Sequence, residues 1–250
     1  MAKIISVHSF RGGTGKSNTT ANVAAVLAAQ GRRVGVVDTD IQSPGIHILF
    51  GLAGEQITRS LNDYLWGRAD IGQTALDVTA KLGPNIAGRV FLIPASGKPG
   101  DITRILREGY DPEALTRGFR KLIEELELDV LMIDTHPGLN DETLLSIVIS
   151  DTLAIILRPD QQDYEGTGVT IHVARKLQVP KMVLVVNKVP AIFDLTAVRT
   201  QVEQAYGCDV AAVLPLTDEM LALASGSVFV TRYPNHPLAD LFRQIAAKLI

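Results

Sequence analysis

Short, continuously apolar runs rich in β-branched residues recur along the chain and predict strands. Each run is four or five residues long, which is typical of parallel strands that are covered on both faces. The runs lie at 4–7, 34–37, 90–93, 130–133, 153–157, 182–186 and 210–214. We therefore expect a sheet that is buried between two layers of other structure.

Segments with helical periodicity separate most of these runs. Residues 17–30 are rich in alanine and are followed by Gly31, a residue type that commonly ends a helix. Asp111 and Pro112 predict another helix start, because a capping residue precedes a proline at the first helical position. The apolar stripe of that helix consists of Leu115, Phe119, Leu122 and Leu126.

The alternation of strands and helices extends over the whole chain and predicts a single domain, residues 1–250. We expect an α/β fold with a doubly wound, mostly parallel sheet and helices on both faces. No internal repeat, low-complexity run or linker divides the sequence.

The composition argues against several classes of protein. The formal net charge of −3 argues against coating nucleic acid through bulk charge. Residues 81–121 nevertheless hold eight basic against four acidic residues, either as a solvated helix face or as a docking surface. The one cysteine, Cys208, excludes a disulfide framework and a cysteine-ligated metal centre. No stretch resembles a signal peptide or a membrane span, so we expect a cytoplasmic protein.

A glycine-rich loop, residues 11–17 (Arg-Gly-Gly-Thr-Gly-Lys-Ser), lies between the first predicted strand and the first predicted helix. Its glycines allow several backbone N–H groups to point at one anion, and the helix adds the positive end of its dipole. Lys16 can reach the β- and γ-phosphates of a nucleotide, and Ser17 can offer a hydroxyl to Mg²⁺. The nucleotide-binding residues expected here are Gly12, Gly13, Thr14, Gly15, Lys16, Ser17 and Asn18.

Aspartates follow two of the predicted strands at their carboxyl ends, where open α/β sheets bind ligands. Asp38 and Asp40 follow the second run, and Asp134 follows the fourth as in a Walker B motif, which holds Mg²⁺ directly or through water. Gly138 gives the next loop the freedom to respond to a γ-phosphate. His136, in the same loop, has two interpretations: a local substitution without a catalytic role, or a residue for proton handling or partner sensing.

The glycine-rich loop resembles the deviant Walker A motif of the MinD/ParA family of P-loop ATPases, Lys-Gly-Gly-x-Gly-Lys-Ser/Thr. Arg11 stands in place of the family's signature lysine, and Phe10 stands where much of the family has glycine. The resemblance extends over nearly the whole chain through the aspartate motifs, Asn187 and residues 214–218. It implies a P-loop NTPase fold of the deviant Walker A type.

This resemblance implies roles for individual residues. Asp40 would orient or deprotonate the attacking water, and Arg11 would reach the nucleotide of a partner subunit. The implied catalytic residues are Lys16, Asp40 and Arg11. The implied magnesium site consists of Ser17, Asp38 and Asp134. The implied adenine contacts are Asn187, Pro215 and Asp218.

The implied activity is slow hydrolysis of ATP with Mg²⁺ by a switch that forms a homodimer in its ATP state. Such a switch positions or partitions a cargo, and an activating or cargo protein is its expected partner. The alternative is a metabolic ATP-dependent ligase of the dethiobiotin-synthetase kind, for which the sequence shows no substrate motif. One cysteine is too few for the iron–sulfur branch of the lineage, and five dispersed tyrosines do not resemble the terminal cluster of the bacterial tyrosine kinases.

Two surfaces that the switch could bind, a membrane and DNA, are considered from the sequence. The last helix has few basic residues, which favours packing against the sheet over membrane binding. Its apolar stripe consists of Leu238, Leu241, Phe242, Ile245 and Leu249. Non-specific binding of DNA by a basic patch assembled in the dimer remains an alternative.

Overall fold

A computed structural model describes residues 2–84 and 86–250, and eight strands of this part form one sheet. The strands are β1 (Lys3–His8), β2 (Arg33–Asp38), β3 (Leu76–Asp77), β4 (Arg89–Ile93), β5 (Val130–Asp134), β6 (Thr152–Leu157), β7 (Met182–Val189) and β8 (Asp209–Pro215). Their spatial order is β3-β4-β2-β5-β1-β6-β7-β8. All neighbouring pairs are parallel except β3 with β4, which is antiparallel.

Each of the seven predicted apolar runs lies inside one of these strands, and the predicted α/β fold class is confirmed. The strand that the sequence did not indicate is β3, which contributes two residues to the edge of the sheet. A two-residue strand is too short for an apolar run to mark it.

Helices connect the strands and cover the sheet. The longer ones are α1 (Lys16–Ala29), α4 (Pro99–Glu108), α5 (Pro112–Glu125), α6 (Asp141–Val148), α7 (Gln161–Lys176), α8 (Leu195–Tyr206) and α11 (Pro237–Leu249). The shorter ones are α2 (Ile46–Leu49), α3 (Leu61–Leu65), α9 (Asp218–Leu223) and α10 (Phe229–Arg232). Short 3₁₀ turns occupy Gly54–Gln56, Ile71–Thr74 and Thr79–Leu82. None of the helices in the described part of the chain is long and apolar enough to cross a membrane.

The two predicted helix starts agree with the structure. Helix α1 begins at Lys16, one residue before the predicted start. Helix α5 begins at Pro112, and the side chain of Asp111 accepts a hydrogen bond from the backbone N–H of Glu113. That bond satisfies one of the N–H groups that a helix start leaves without an intrahelical partner.

Alternate residues of each strand point to opposite faces of the sheet, so the core forms on both sides. Helices α1, α10 and α11 pack on one face, where the apolar stripe of α11 is buried as predicted except for Leu241, which is partly buried. Helix α5 covers β2, β4 and β5 on the other face, and helices α6, α7 and α8 cover β6, β7 and β8 there.

The sheet order places one group of polar residues at a single edge. Strand β1 lies in the middle, between β5 and β6, and β2 lies beyond β5. The parallel strands β1, β2 and β5 therefore end side by side, at His8, Asp38 and Asp134. In open α/β sheets, this is the edge at which ligands bind.

We predict that Leu122→Ala lowers the free energy of unfolding by about 2–5 kcal/mol, because Leu122 is fully buried and its truncation leaves a cavity. Leu106→Ala is the matched control: that side chain in α4 is 61% exposed, and we expect a change within about 0.5 kcal/mol. Urea unfolding followed by circular dichroism measures both values. Equal losses for the two variants would contradict the burial of the α5 stripe.

Candidate functional site

The glycine-rich loop turns sharply from β1 into α1, and its shape requires glycine at position 15. Gly15 has a φ of 99°, in the left-handed region, and is the capping residue of α1. A Cβ atom at this position would lie 2.3 Å from Nδ2 of Asn187. Both the backbone angle and the close approach of Asn187 exclude a larger residue.

The loop borders a polar cavity of about 470 Å³, which we call the loop pocket. The residues that define it include Gly12, Lys16, Ser17, Asp40, His136 and Lys188. The side chain of Lys16 is 7% exposed, and the hydroxyl of Thr14 is buried without a partner among the described residues. The structure therefore brings Asp40 and the predicted loop residues other than Thr14 to one cavity.

Two buried carboxylates lie behind this pocket. Asp38 and Asp134 are paired in the register of the neighbouring strands β2 and β5 and are 0% and 1% exposed. Burial raises the pKa of Asp134 to about 6, while a hydrogen bond from Ser17 and the positive charge of Lys16 limit the rise. Burial, and then the charge of Asp134, raise the pKa of Asp38 well above its ordinary value. The pair is costly to keep ionised without a cation.

The carboxylate of Asp38 also shapes the loop that follows β2. It accepts hydrogen bonds from the backbone N–H groups of Asp40, at 3.1 Å, and Gly45, at 3.3 Å. The backbone N–H and the side-chain hydroxyl of Thr39 both donate to the carbonyl of Asp134, at 2.9 and 3.0 Å. The loop therefore turns back over the strand ends, and Asp40 enters the loop pocket although it is only two residues beyond Asp38.

Asp40 contacts a residue whose role the sequence left open. The Nδ1 atom of His136 lies 2.7 Å from Oδ1 of Asp40. The two side chains are 23% and 18% exposed, and both border the loop pocket. The order of the motifs along the chain does not predict this contact, because the two residues are 96 positions apart.

His8 joins the end of β1 to the same region. Its Nδ1 atom lies 2.9 Å from the hydroxyl of Thr135, which donates to the carbonyl of Val7 at 3.1 Å. Burial, followed by the charges of Lys16 and His136, lowers the pKa of His8 to about 3. His8 is therefore neutral at physiological pH and donates from Nδ1 to Thr135.

A second cavity, of about 200 Å³, adjoins the loop pocket, and we call it the side pocket. The residues that define it include Asn187, Leu214, Pro215, Thr217, Met220 and Phe242. Gly15, Asn18, Lys188 and Ser225 border both cavities. The mixture of apolar side chains and an amide suits a planar heterocycle.

Asn187 and Lys188 brace the glycine-rich loop. Asn187 Nδ2 donates to the carbonyl of Thr14 at 2.8 Å, and Lys188 Nζ donates to the carbonyl of Gly13 at 2.7 Å. Lys188 is a residue that the motif assignments missed, although it directly follows Asn187 in the sequence. An amide group has two N–H donors, so one donor of Asn187 remains for a ligand in the side pocket.

The loop after β8 contributes to the side pocket differently from the expectation. Pro215 borders the pocket as predicted, but Asp218 is exposed and does not belong to its lining. Thr217 takes part instead, and its hydroxyl caps α9 by accepting a hydrogen bond from the N–H of Met220 at 3.3 Å. Asp218 is the first residue of α9, where its negative charge is favourable.

Arg11 does not border the loop pocket of its own chain. Its guanidinium lies 3.5 Å from the carboxylates of both Asp160 and Asp163, at the start of α7. Phe10, which is 36% exposed, packs beside it on Gly166, where a Cβ atom would lie 2.0 Å from the ring. These two departures from the family motif therefore both contact α7.

The basic excess of residues 81–121 is partly compensated by nearby acids. Four of the eight basic residues form ion pairs: Arg89 with Asp77, Arg104 with Glu108, Arg117 with Asp111 and Glu113, and Lys121 with Asp70 and Glu125. Arg104 also lies over the ring of Trp66, 4.5 Å from its centre. This pairing favours a solvated helix surface over a docking site for a polyanion.

Cys208 is remote from the two pockets. It precedes β8 at the amino end of that strand, whereas the pockets lie at the carboxyl ends. Among residues 2–84 and 86–250, no group of three or more His, Cys, Asp or Glu side chains is placed to hold a metal ion. A cation at Asp38 and Asp134 would therefore need further oxygen ligands from a bound molecule.

Comparison with known proteins identifies relatives over the full length. The family model described as AAA domain matches residues 2–183. An uncharacterized ATP-binding protein of Methanocaldococcus jannaschii is 32% identical, with 100% of this chain and 88% of that protein covered. An iron–sulfur cluster carrier protein of Saccharolobus solfataricus is 29% identical, with 98% and 82% covered. That name describes the relative; this chain itself has one cysteine, Cys208.

Solved structures share the fold. The septum site-determining protein MinD of Pyrococcus horikoshii, complexed with Mg-ADP, matches with a TM-score of 0.81 at 20% identity, covering 100% of this chain and 96% of that one. A ParA family ATPase of Chlorobium tepidum matches with a TM-score of 0.77 at 17% identity, covering 99% of each chain. The chain therefore belongs to the AAA domain family and shares the fold of the MinD and ParA family ATPases.

Proposed function

We propose that the chain is a switch in which Mg²⁺ and ATP join two copies face to face and hydrolysis separates them. The observation that carries this proposal is the loop pocket, where an ammonium, a hydroxyl and a carboxylate from separate elements meet beside a glycine-rich turn. Such a cavity fits a chain of phosphates. The dimer would act as a timer that positions a cargo.

Within this proposal, Lys16 binds the β- and γ-phosphates, and backbone N–H groups of residues 12–17 surround them. Lys16 is nearly buried, so its charge interacts with phosphate more strongly than a charge in bulk water would. Asp40 borders the same cavity and would hold the attacking water beside the γ-phosphate.

Three residues, one in α1 and two at strand ends, offer ligands that suit Mg²⁺. Ser17, Asp38 and Asp134 offer oxygen atoms, the ligand type that Mg²⁺ prefers. The two desolvated carboxylates hold raised pKa values, as expected where a cation is the missing partner. When bound, Mg²⁺ would neutralise phosphate charge and complete its coordination with phosphate oxygens and water.

The side pocket is the proposed position of adenine. Leu214, Pro215 and Met220 offer apolar contacts to a flat ring, and the remaining N–H of Asn187 offers one directional bond. Thr217 replaces Asp218 in this proposal, since Asp218 does not border the cavity.

Arg11 would act on the nucleotide of the partner subunit. It does not border its own loop pocket, and its ion pairs within the described part of the chain are two contacts of 3.5 Å, to Asp160 and Asp163. Arg11 is 39% exposed, and its pair with the half-exposed Asp160 contributes on the order of 0–1 kcal/mol, while the buried Asp163 already pairs with Arg158 at 3.0 Å. The phosphates of a partner's nucleotide can therefore compete for it.

We propose a protein, not DNA, as the partner or cargo. Four of the eight basic residues in 81–121 are paired with acids, which halves the number of basic side chains there that lack an acidic partner for the phosphates of a duplex.

We predict that Lys16→Ala abolishes ATP-dependent dimerisation, because the β- and γ-phosphates lose their cation. Asp40→Ala should still dimerise but hydrolyse at least about 100-fold more slowly, because the water is no longer held. Light scattering after size exclusion, with Mg²⁺ and either ATP or ADP, measures the dimer, and phosphate release measures turnover. Turnover by Asp40→Ala at the parent rate would show that the water-holding assignment is wrong. Turnover that requires an added small carboxylate would favour the ligase alternative.

We predict that Arg11→Ala binds ATP with nearly unchanged affinity but loses the ATP-dependent dimer, because Arg11 does not border the loop pocket of its own chain. Arg158→Ala is a matched control, since Arg158 also pairs with Asp163, at 3.0 Å, and lies in the same region. Binding of a fluorescent ATP analogue and light scattering separate the two effects. Loss of ATP binding by the Arg11 variant would contradict a role in the partner's site.

We predict that Asp134→Asn stabilises the nucleotide-free chain at pH 7 by on the order of 1–3 kcal/mol, because the folded pKa of about 6 lies above the ordinary 3.8. Between these two values the folded chain binds more protons than the unfolded chain. The parent should therefore gain stability as the pH falls through this window, and the variant should gain less. Added Mg²⁺ and ATP should stabilise the parent but not the variant.

Urea unfolding at pH 5 and pH 7 tests this expectation. Asp209→Asn is the control, since its carboxylate is 74% exposed and its replacement should change stability by less than about 0.5 kcal/mol. A destabilised Asp134→Asn variant would mean that the carboxylate has a stabilising partner in the empty chain.

A further inference from the structure

The contact between His136 and Asp40 follows from the register of the sheet. Asp38 of β2 and Asp134 of β5 are register partners, and Asp40 and His136 each lie two residues further along. The two loops therefore leave the sheet in parallel, and their side chains meet above the buried carboxylates at 2.7 Å. The bond links the loop after β2 to the loop after β5.

The hydrogen bonds around Asp40 are divided unequally between its oxygens. Oδ1 is 2.7 Å from Nδ1 of His136 and accepts the backbone N–H of Ser43 at 3.1 Å. No other hydrogen bond to this carboxylate is found among residues 2–84 and 86–250, so Oδ2 is left for a water molecule in the loop pocket. Nδ1 donates this bond in the tautomer that carries its proton there and in the charged ring alike.

His136 is itself held in place from the other side. Its carbonyl accepts the hydroxyl of Thr143 in α6, at 3.4 Å, and Pro137 follows it with a fixed φ. Its side chain is only 23% exposed. The imidazole therefore offers Asp40 a donor whose position the fold restricts, which a proline at this position would not.

We propose that His136 is a positioning residue for Asp40: it fixes Oδ1, so that Oδ2 faces the attacking water. This role rests on the proposed function, in which Asp40 holds that water. His136 acts through the geometry of the carboxylate and takes no part in proton transfer. The hydrogen bond also means that the loop after β2 cannot move freely while the loop after β5 stays in place.

Replacing His136 by asparagine or by glutamine distinguishes the positioning role from a merely structural one. His136→Asn places an N–H donor where Nδ1 lies, whereas His136→Gln places it near Nε2. We expect His136→Ala and His136→Gln to lower kcat by about 10-fold or more, as for a lost hydrogen bond to a charged group, with the KM for ATP changed less than about 2-fold. His136→Asn should recover most of the parent kcat. His172→Ala, an exposed histidine of α7, should not change turnover.

A double-mutant cycle decides whether His136 acts through Asp40. If it does, the variant with both Asp40→Ala and His136→Ala turns over no more slowly than Asp40→Ala alone. Multiplied losses, or equal losses for the Asn and Gln variants, would overturn the positioning role. A slow Asp40→Ala variant beside a fully active His136→Ala variant would overturn it while leaving the proposed function intact. Full activity of Asp40→Ala would instead remove the proposed role of Asp40 itself.

Discussion

The site is organised around two buried carboxylates that the sheet forces together. Asp38 and Asp134 are register partners on adjacent strands, and neither has access to solvent, so their charges repel at low dielectric. The groups that lower this electrostatic cost are held in defined positions around the two carboxylates. Lys16 contributes its charge to Asp134, and the backbone N–H groups of Asp40 and Gly45 donate to Asp38.

The loops around the pocket derive their positions from this pair. Because Asp38 holds the backbone of the loop after β2, Asp40 comes within reach of His136, and the two loops are joined. His8 connects the end of β1 to Thr135 in the loop after β5. A continuous set of hydrogen bonds therefore links three strand ends, so that a change at one loop displaces polar atoms at the others.

Much of the site could be predicted because each motif stands at the end of an apolar run. The strands were marked by their β-branched residues. Asp134 ends β5, and the loops after β1 and β2 bring Lys16 and Asp40 to one cavity at the same edge of the sheet. The contact of His136 with Asp40 could not be predicted, since it depends on the register between two strands that are not consecutive. The orientation of Asp218 was missed for a local reason: Thr217 is the cap of α9, which places Asp218 on its outer side.

A switch requires that a ligand interacts with its two states differently. The protein's own groups offset only part of the cost of burying two carboxylates, and Arg11 pairs with Asp160 and Asp163. A cation with a triphosphate removes the first cost, and a second subunit offers Arg11 a more highly charged partner than a carboxylate. Both interactions stabilise the nucleotide-bound dimer. Release of phosphate after hydrolysis would remove both of them. The residues that would contact the ligand therefore carry the electrostatic cost that the ligand would lower, which is the differential interaction that the proposed switch needs.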